Sequence, residues 1–378
     1  YESNEETIEV TTDNYVNPVV NSVTATNVTN DTITVSVSAS AGTNNIQTYY
    51  YSINNGSYQS SSSNTHTFSG LSAGQSYSIK VYVRDTGGVD SNVYTINAET
   101  ENVVYLADVC NNGNNLASCI TSFYNSYGTD ATKLYYHNSS LANGAGDNSY
   151  RYAGASEEVN NYVCFGSDAA TCPSANLYRI IGVFGNEVKL IKNTSYGSYV
   201  WESDYSGQGN TWNSSTKPDI RTTLNSTFLG TLSSTWQNKI ANHAFKVGGM
   251  TSSYGYSTPR TAYNYEVGAN SSSTTDTMKI GLMYVSDYGF AASNTYWSTN
   301  LSSYNSATSN NWLYLGSYEW TISRNSDYSN YAFLVISPGY VNNNNVLFSY
   351  GVRPVFYLTS STTYVSGSGS SADPVRIN

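Results

Sequence analysis

Hydrophobic and polar residues alternate with period two between residues 19 and 100. VVNSVTATNVT and DTITVSVSAS form the first two runs, meeting at Asn30-Asp31. QTYYYSI leads into Asn55-Gly56, a strong hairpin signal, and NTHTFSG, SYSIKVYVRD and NVYTINAET complete the set. Six or seven short strands at this spacing predict a β-sandwich, because each strand has one face to bury and needs an opposing sheet. Ahead of it, IEVTT sets Ile8 and Val10 on one face and Glu9 and Thr11 on the other. That is one more half-buried strand, with no evident partner.

From residue 103 the period changes. NNLASCITSFYNSYG places Leu116, Ile120, Phe123 and Tyr127 at helical spacing, with Asn114 available as a cap. LANGAGDNSYRYAG reads as loop, and NLYRIIGVFGNEVKLIK as a hairpin around Gly185-Asn186. KPDIRTTLNSTFLGTL predicts a second helix, with Pro218 near its first turn and Ile220, Leu224, Phe228 and Leu232 at steps of four. STWQNKI adds a turn or two capped by Ser234. Strands and long loops are expected from there to GVRPVFYL. The tail VSGSGSSADPVRIN reads either as a flexible linker or as a last strand.

Composition narrows the class. Of 378 residues only 16 are Lys or Arg and 26 are Asp or Glu, against 37 tyrosines, for a net charge of −10. Nucleic-acid binding needs basic clusters that displace phosphate counterions, and no basic run occurs. An anionic membrane surface would repel the chain. Without an initiator methionine or a long apolar run, the chain is expected to be a mature form without membrane insertion. Cys110, Cys119, Cys164 and Cys172 allow three pairings, of which nearest neighbours is the simplest. Two disulfides imply an oxidising, extracellular compartment.

The stretch TFSGLSAGQSYSIKVYVRDTGGVDS resembles a fibronectin type III domain covering residues 19–100. Tyr77 matches that family's corner tyrosine, and Ile79, Val81 and Val83 are expected in the core; the tryptophan common on the second strand is missing. Residues 103–378 are similar to bacterial surface-protein domains of undefined function, through NLYRIIGVF, LNSTFLGTL, KIGLMYVSDYGF, NWLYLGSYEWTIS and GVRPVFYL. The run from EWTIS to GVRP also looks like the end of formylglycine-generating-enzyme-like domains, whose fold is C-type-lectin-like. The resemblances imply a multidomain chain: an all-β sandwich, then an α+β domain.

The chemistry-bearing residues converge on no motif. His66, His137 and His243 sit in unrelated contexts, without HExxH, and no GxSxG elbow occurs. Glu157, Glu158, Asp276, Asp287 and Glu319 are scattered, leaving a two-carboxylate glycosidase site unlocated. The formylglycine chemistry uses C-terminal cysteines, and none follows Cys172; the calcium-binding tripeptides of C-type lectins are also missing. Arg353 reads as a structural arginine. Tyr254, Tyr256, Tyr263 and Tyr265 suit a glycan platform, a protein interface or sheet packing equally. For an isopeptide crosslink, Lys80 points away from the core, and no lysine stands out. No catalytic residue, cofactor or metal is expected.

The expectation is therefore a non-catalytic extracellular or cell-surface protein. Its arm, residues 1–18, offers Thr7, Ile8, Glu9, Val10, Thr11 and Thr12 as a strand to the sheet of another copy, which would build a filament. Pairing within its own domain leads instead to an adhesin that binds a glycan or host protein. A polysaccharide-acting enzyme ranks third.

Overall fold

The computed structural model describes residues 14–204, 207–213 and 215–378. The expected strand at Thr7 to Thr12 lies outside the described residues. The chain divides into two compact units, residues 1–103 and 104–378.

The first unit is an immunoglobulin-type sandwich. Its strands are β1 Val19–Val28, β2 Ile33–Ser40, β3 Ile46–Ile53, β4 Gln59–Ser61, β5 Thr65–Phe68, β6 Ser76–Asp85 and β7 Tyr94–Glu99. One sheet has the order β1-β2-β5 and the other β4-β3-β6-β7, antiparallel throughout. The period-two residues meet between the sheets: Ile33, Val35, Ile79, Val81 and Val83 are fully buried. Tyr51 is the bulkiest fully buried side chain there, its hydroxyl donating to the Ser63 carbonyl. Tyr77 caps the corner, accepting from the Ser72 amide at 2.7 Å and donating to its carbonyl at 3.4 Å. The β3–β4 turn falls one residue earlier than the sequence suggested. Asn54 and Asn55 take the positive φ angles, and the Gly56 amide closes the turn on the Ile53 carbonyl at 2.9 Å. Asparagine tolerates this left-handed region better than other non-glycine residues.

The segment entering β1 is tied to this sandwich. Tyr15 donates its hydroxyl to Asp85. The Val16 amide donates to Thr43 Oγ1 at 2.9 Å, and the Thr43 amide returns to the Val16 carbonyl at 2.8 Å. Gly42 permits the approach, since a Cβ there would lie 1.9 Å from the Val16 oxygen.

The second unit is built on a seven-stranded antiparallel sheet. Its order is Ile280–Gly281, Val355–Tyr357, Glu187–Lys192, Leu177–Phe184, Tyr150–Tyr152 and Leu134–Tyr136, with Tyr162–Cys164 also paired to Leu177–Phe184. Leu177–Phe184 and Glu187–Lys192 are buried almost continuously, as strands covered on both faces must be. A five-stranded sheet runs Gly197–Val200, Ser349–Val352, Glu319–Arg324, Tyr331–Val335 and Val341–Asn345. The tail closes as a small hairpin, Tyr364–Ser366 with Arg376–Ile377. Cys110 pairs with Cys119 and Cys164 with Cys172. Each short loop so closed contributes about 2–3 kcal/mol in the chain-entropy picture. Persistent disulfides place folding outside the reducing cytosol. No helix among the described residues is long and apolar enough to cross a membrane.

Several local expectations need correction. The first helix spans Leu116–Thr132 and is capped by Asn115, whose side chain accepts from the Ser118 amide; Asn114 accepts from Asn111 instead. The second is one α-turn, Asp219–Thr222, that widens into a π-helical stretch, Thr223–Phe228, with Pro218 at its cap. Ser233, not Ser234, sits at the cap of Ser234–Asn238. The supposed loop at LANGAGDNSYRYAG contains the strand Tyr150–Tyr152, and His243 opens the strand His243–Lys246. Helices also form at Pro259–Glu266 and Val285–Phe290, where strands and loops were expected.

Candidate functional site

The charged residues of the second unit gather in its interior. Arg151, on Tyr150–Tyr152, donates to Asp147 at 2.6 Å and faces Asp287 Oδ1 at 3.6 Å. Lys189, on Glu187–Lys192, meets Asp287 Oδ2 at 2.5 Å. Asp287 also accepts from the Tyr284 amide at 2.9 Å, closing the first turn of Val285–Phe290. Aromatic faces line the cluster: Phe184 and Phe290 beside Arg151, Tyr284 and Tyr357 beside Lys189. Burial opposes charge on Asp147, but Arg151 and the Ser149 bonds outweigh it and hold that carboxyl well below its usual range. Glu266 is pushed up by burial, against bonds from Ser323, Ser286 and the Val285 amide.

His137 packs against this region, fully buried. The Ala145 amide donates to its Nδ1 at 3.0 Å, which puts the proton on Nε2. Nε2 has no hydrogen-bond partner among the described residues, and the ring stands edge-on to Phe290 at 4.9 Å. Burial, with Arg151 nearby, pushes the His137 pKa well below 6.5. The unfolded chain then binds more protons below about pH 6.5, so stability rises with pH there and levels off above. We expect the unfolding free energy of this unit to fall by up to about 1.4 kcal/mol for each pH unit of acidification below that point, from this histidine alone. His243, also lowered by burial, adds a slope of the same sign. Urea titrations between pH 5 and 7.5 check this: His137→Phe should flatten the slope, and an unchanged slope would refute the assignment.

The carboxylates singled out in the sequence do not meet. Asp276 binds Lys217 and Arg221, each at 2.7 Å, and Trp212 at 3.0 Å. Glu319 holds Arg353 at 2.6 Å, and Arg353 also donates to the Leu313 carbonyl at 2.6 Å. Glu158 lies 3.8 Å from Lys133. Among the described residues no group of three His, Cys, Asp or Glu side chains is placed to hold a metal. The expected tyrosine cluster divides: Tyr254 stacks on Tyr265, Tyr256 packs edge-on to Phe333, and Tyr263 turns to Phe290 and Arg151.

Two surface features stand out among the described residues. A hollow of about 640 Å³ lies where both disulfide loops meet the tail. Asn112 comes from the first loop and Asp168 and Thr171 from the second, and Trp236 and Asp373 also line it; Arg376 donates to the Ala170 carbonyl at 2.9 Å. On the five-stranded sheet, Tyr318, Tyr350 and Phe348 form an aromatic row. Tyr318 and Tyr350 stack at 5.3 Å and 22°, Tyr350 and Phe348 at 6.2 Å and 30°. The two outer rings are 43% and 54% exposed. The Asn344 amide donates to the Tyr350 hydroxyl at 2.7 Å. Sequence inspection missed this row because Tyr318 and Phe348 are far apart in the chain; the FSY triplet at 348–350, with two rings spaced by two, was its one visible trace.

No protein-family model and no curated protein matches the chain. Among solved structures it is similar to the PKD1 domain of the Vibrio cholerae metalloprotease PrtV, at 21% identity and a TM-score of 0.20, over 23% of this chain and 99% of that one. A fourth fibronectin type III domain from human matches at 22% identity and 0.21, over 26% and 91%. Chitinase ChiA74 from Bacillus thuringiensis matches at 16% identity and 0.21, over 25% of this chain and 15% of the chitinase. The sandwich is defined by its own strand pairing, and the chitinase's named activity stays with that protein.

Proposed function

We propose that this chain is a non-catalytic extracellular binding protein, in which a fibronectin type III-like sandwich carries a larger unit that takes glycans on its aromatic row. The strand orders β1-β2-β5 and β4-β3-β6-β7, with the Tyr77 corner, support the family reading of the sandwich. For the larger unit, the likeness to bacterial surface domains, α+β and C-type-lectin-like, rests on the sequence motifs alone.

The Tyr318–Tyr350–Phe348 row carries the functional reading. A pyranose presents an apolar C–H face that fits a flat ring, and a rim of hydroxyls that needs donors and acceptors. Contiguous exposed apolar surface marks interaction sites, and tyrosine adds a polar edge to its apolar body. Asn344 and Tyr350 supply amide and phenol groups beside the rings. The small share of charged residues suits a neutral ligand. The engagement of Asp276, Asp287 and Glu319 in ion pairs supports binding over catalysis. Filament assembly through Thr7 to Thr12, which lie outside the described residues, rests on the sequence pattern alone.

The test is a glycan array with the full chain, followed by titration of any hit. Tyr318→Ala and Phe348→Ala should each weaken binding about tenfold, roughly 1.4 kcal/mol, with unfolding unchanged. Absence of any glycan bound by the wild type, or undiminished binding by the double variant, would refute the proposal.

A further inference from the structure

The ionic cluster at the centre of the larger unit holds an amine and a carboxyl in direct hydrogen-bond contact. Lys189 Nζ and Asp287 Oδ2 are 2.5 Å apart, on side chains 1% and 2% exposed. We propose that Lys189 and Asp287 condense into an intramolecular isopeptide bond, independently of any ligand the protein binds.

The step is a dehydration of the ion pair. One proton passes from the Lys189 ammonium to Asp287 Oδ2, and the freed amine attacks Cγ. The Nζ–Cγ bond forms and the Cγ–Oδ2 bond breaks. Oδ2 leaves as water, carrying the proton already transferred and a second one from Nζ. An ammonium and a carboxylate become an amide and water, with no oxidant, reductant or co-reactant.

The surroundings favour each part of this step. Burial disfavours the charged forms that otherwise prevent the reaction, and it pushes the Lys189 ammonium towards neutrality against the pull of Asp287. Arg151 Nη1 stands 3.6 Å from Oδ1, the oxygen that stays and takes up negative charge during the attack. The Tyr284 amide donates at 2.9 Å to Oδ2, the oxygen that leaves. Glu266 acts as a positioning residue: its carboxylate accepts from the Val285 and Ser286 amides, the two residues before Asp287, at 2.9 and 3.0 Å. The amine is fixed from the other side by a central strand, so the two groups meet without a search, the condition under which intramolecular reactions gain most. Condensation removes one cation and one anion together, so the net charge of the cluster does not change and the Arg151–Asp147 pair at 2.6 Å remains. The new bond spans 98 residues, where the disulfides span nine and eight.

Intact mass of the full chain, denatured without reduction, decides the matter. The expected mass is below that of the two-disulfide chain by one water, about 18 Da, as for any amide condensation. Proteolysis should give a branched peptide joining the segments around residues 189 and 287, and Lys189→Arg should restore the full mass. If Lys189→Arg does not fold, the wild-type mass and the branched peptide still give the answer. A wild-type chain that keeps its full two-disulfide mass, folded and after long incubation, would overturn the proposal and leave Lys189–Asp287 an ion pair.

Discussion

Glu319→Ala should lower the unfolding free energy of the larger unit by about 3–5 kcal/mol, the cost of leaving a buried charge without its partner. Arg353 is 1% exposed, and apart from Glu319 it bonds to the Leu313 carbonyl. The backbone cannot relieve this by moving, because Glu319 and Gly351 are paired in register between neighbouring strands. The pair itself is a weak source of net stability. Burial raises the Glu319 pKa despite the adjacent guanidinium, a sign that desolvation exceeds the attraction. Glu319→Leu combined with Arg353→Met should therefore recover most of the loss, ending within about 2 kcal/mol of the wild type. All six tryptophans lie in the larger unit, so their fluorescence in a urea titration reads this unit alone. Additive losses in the double variant would refute the desolvation argument.

The same physics explains what the sequence reveals and what it conceals. The sandwich is visible because its sheets each have one wet face, so burial repeats every second residue and Ile79, Val81 and Val83 announce the core. EVKL, at the start of EVKLIK, keeps the same alternation, which suggests that Lys189 faces water. It does not, because this strand is central in a sheet covered on both sides and its polar position is buried too. Arg151 and Asp287 arrive from other segments, and nothing short of the tertiary fold brings them to Lys189. Val285–Phe290 is buried all round, so it has no amphipathic period to detect. Pro259–Glu266 was more accessible to inspection: Thr258 caps it and proline stands first, the usual start of a helix. The aromatic row is concealed for a third reason. Its rings come from one residue before a strand, one on a strand and one in a turn, and only strand pairing aligns them.

Phe165→Ala should cost the larger unit about 3–5 kcal/mol, the range for deleting a fully buried aromatic ring that its neighbours cannot replace. Phe165 has no exposed surface and packs on Phe356 at 4.7 Å, Trp236 at 4.9 Å and Tyr178 at 5.5 Å. Two of those partners sit on the central sheet, and the third walls the hollow between the disulfide loops. The backbone around it is held on both sides, with its amide donating to Asn176 O and its carbonyl accepting from Asn176 Nδ2, so the cavity cannot collapse freely. Phe165→Leu keeps most of the volume and should cost less than half as much. Cys164 stands next in the chain, so opening its disulfide with Cys172 loosens the same loop. Contacting sites couple, and the two losses should sum to less than their separate values by about 0.5 kcal/mol or more. Tryptophan fluorescence of Phe165→Ala and Cys164→Ser/Cys172→Ser, alone and combined, measures that coupling. Strict additivity would mean that the ring stabilises the sheet alone, and that the disulfide loop and the hollow it borders are built independently of the core beneath them.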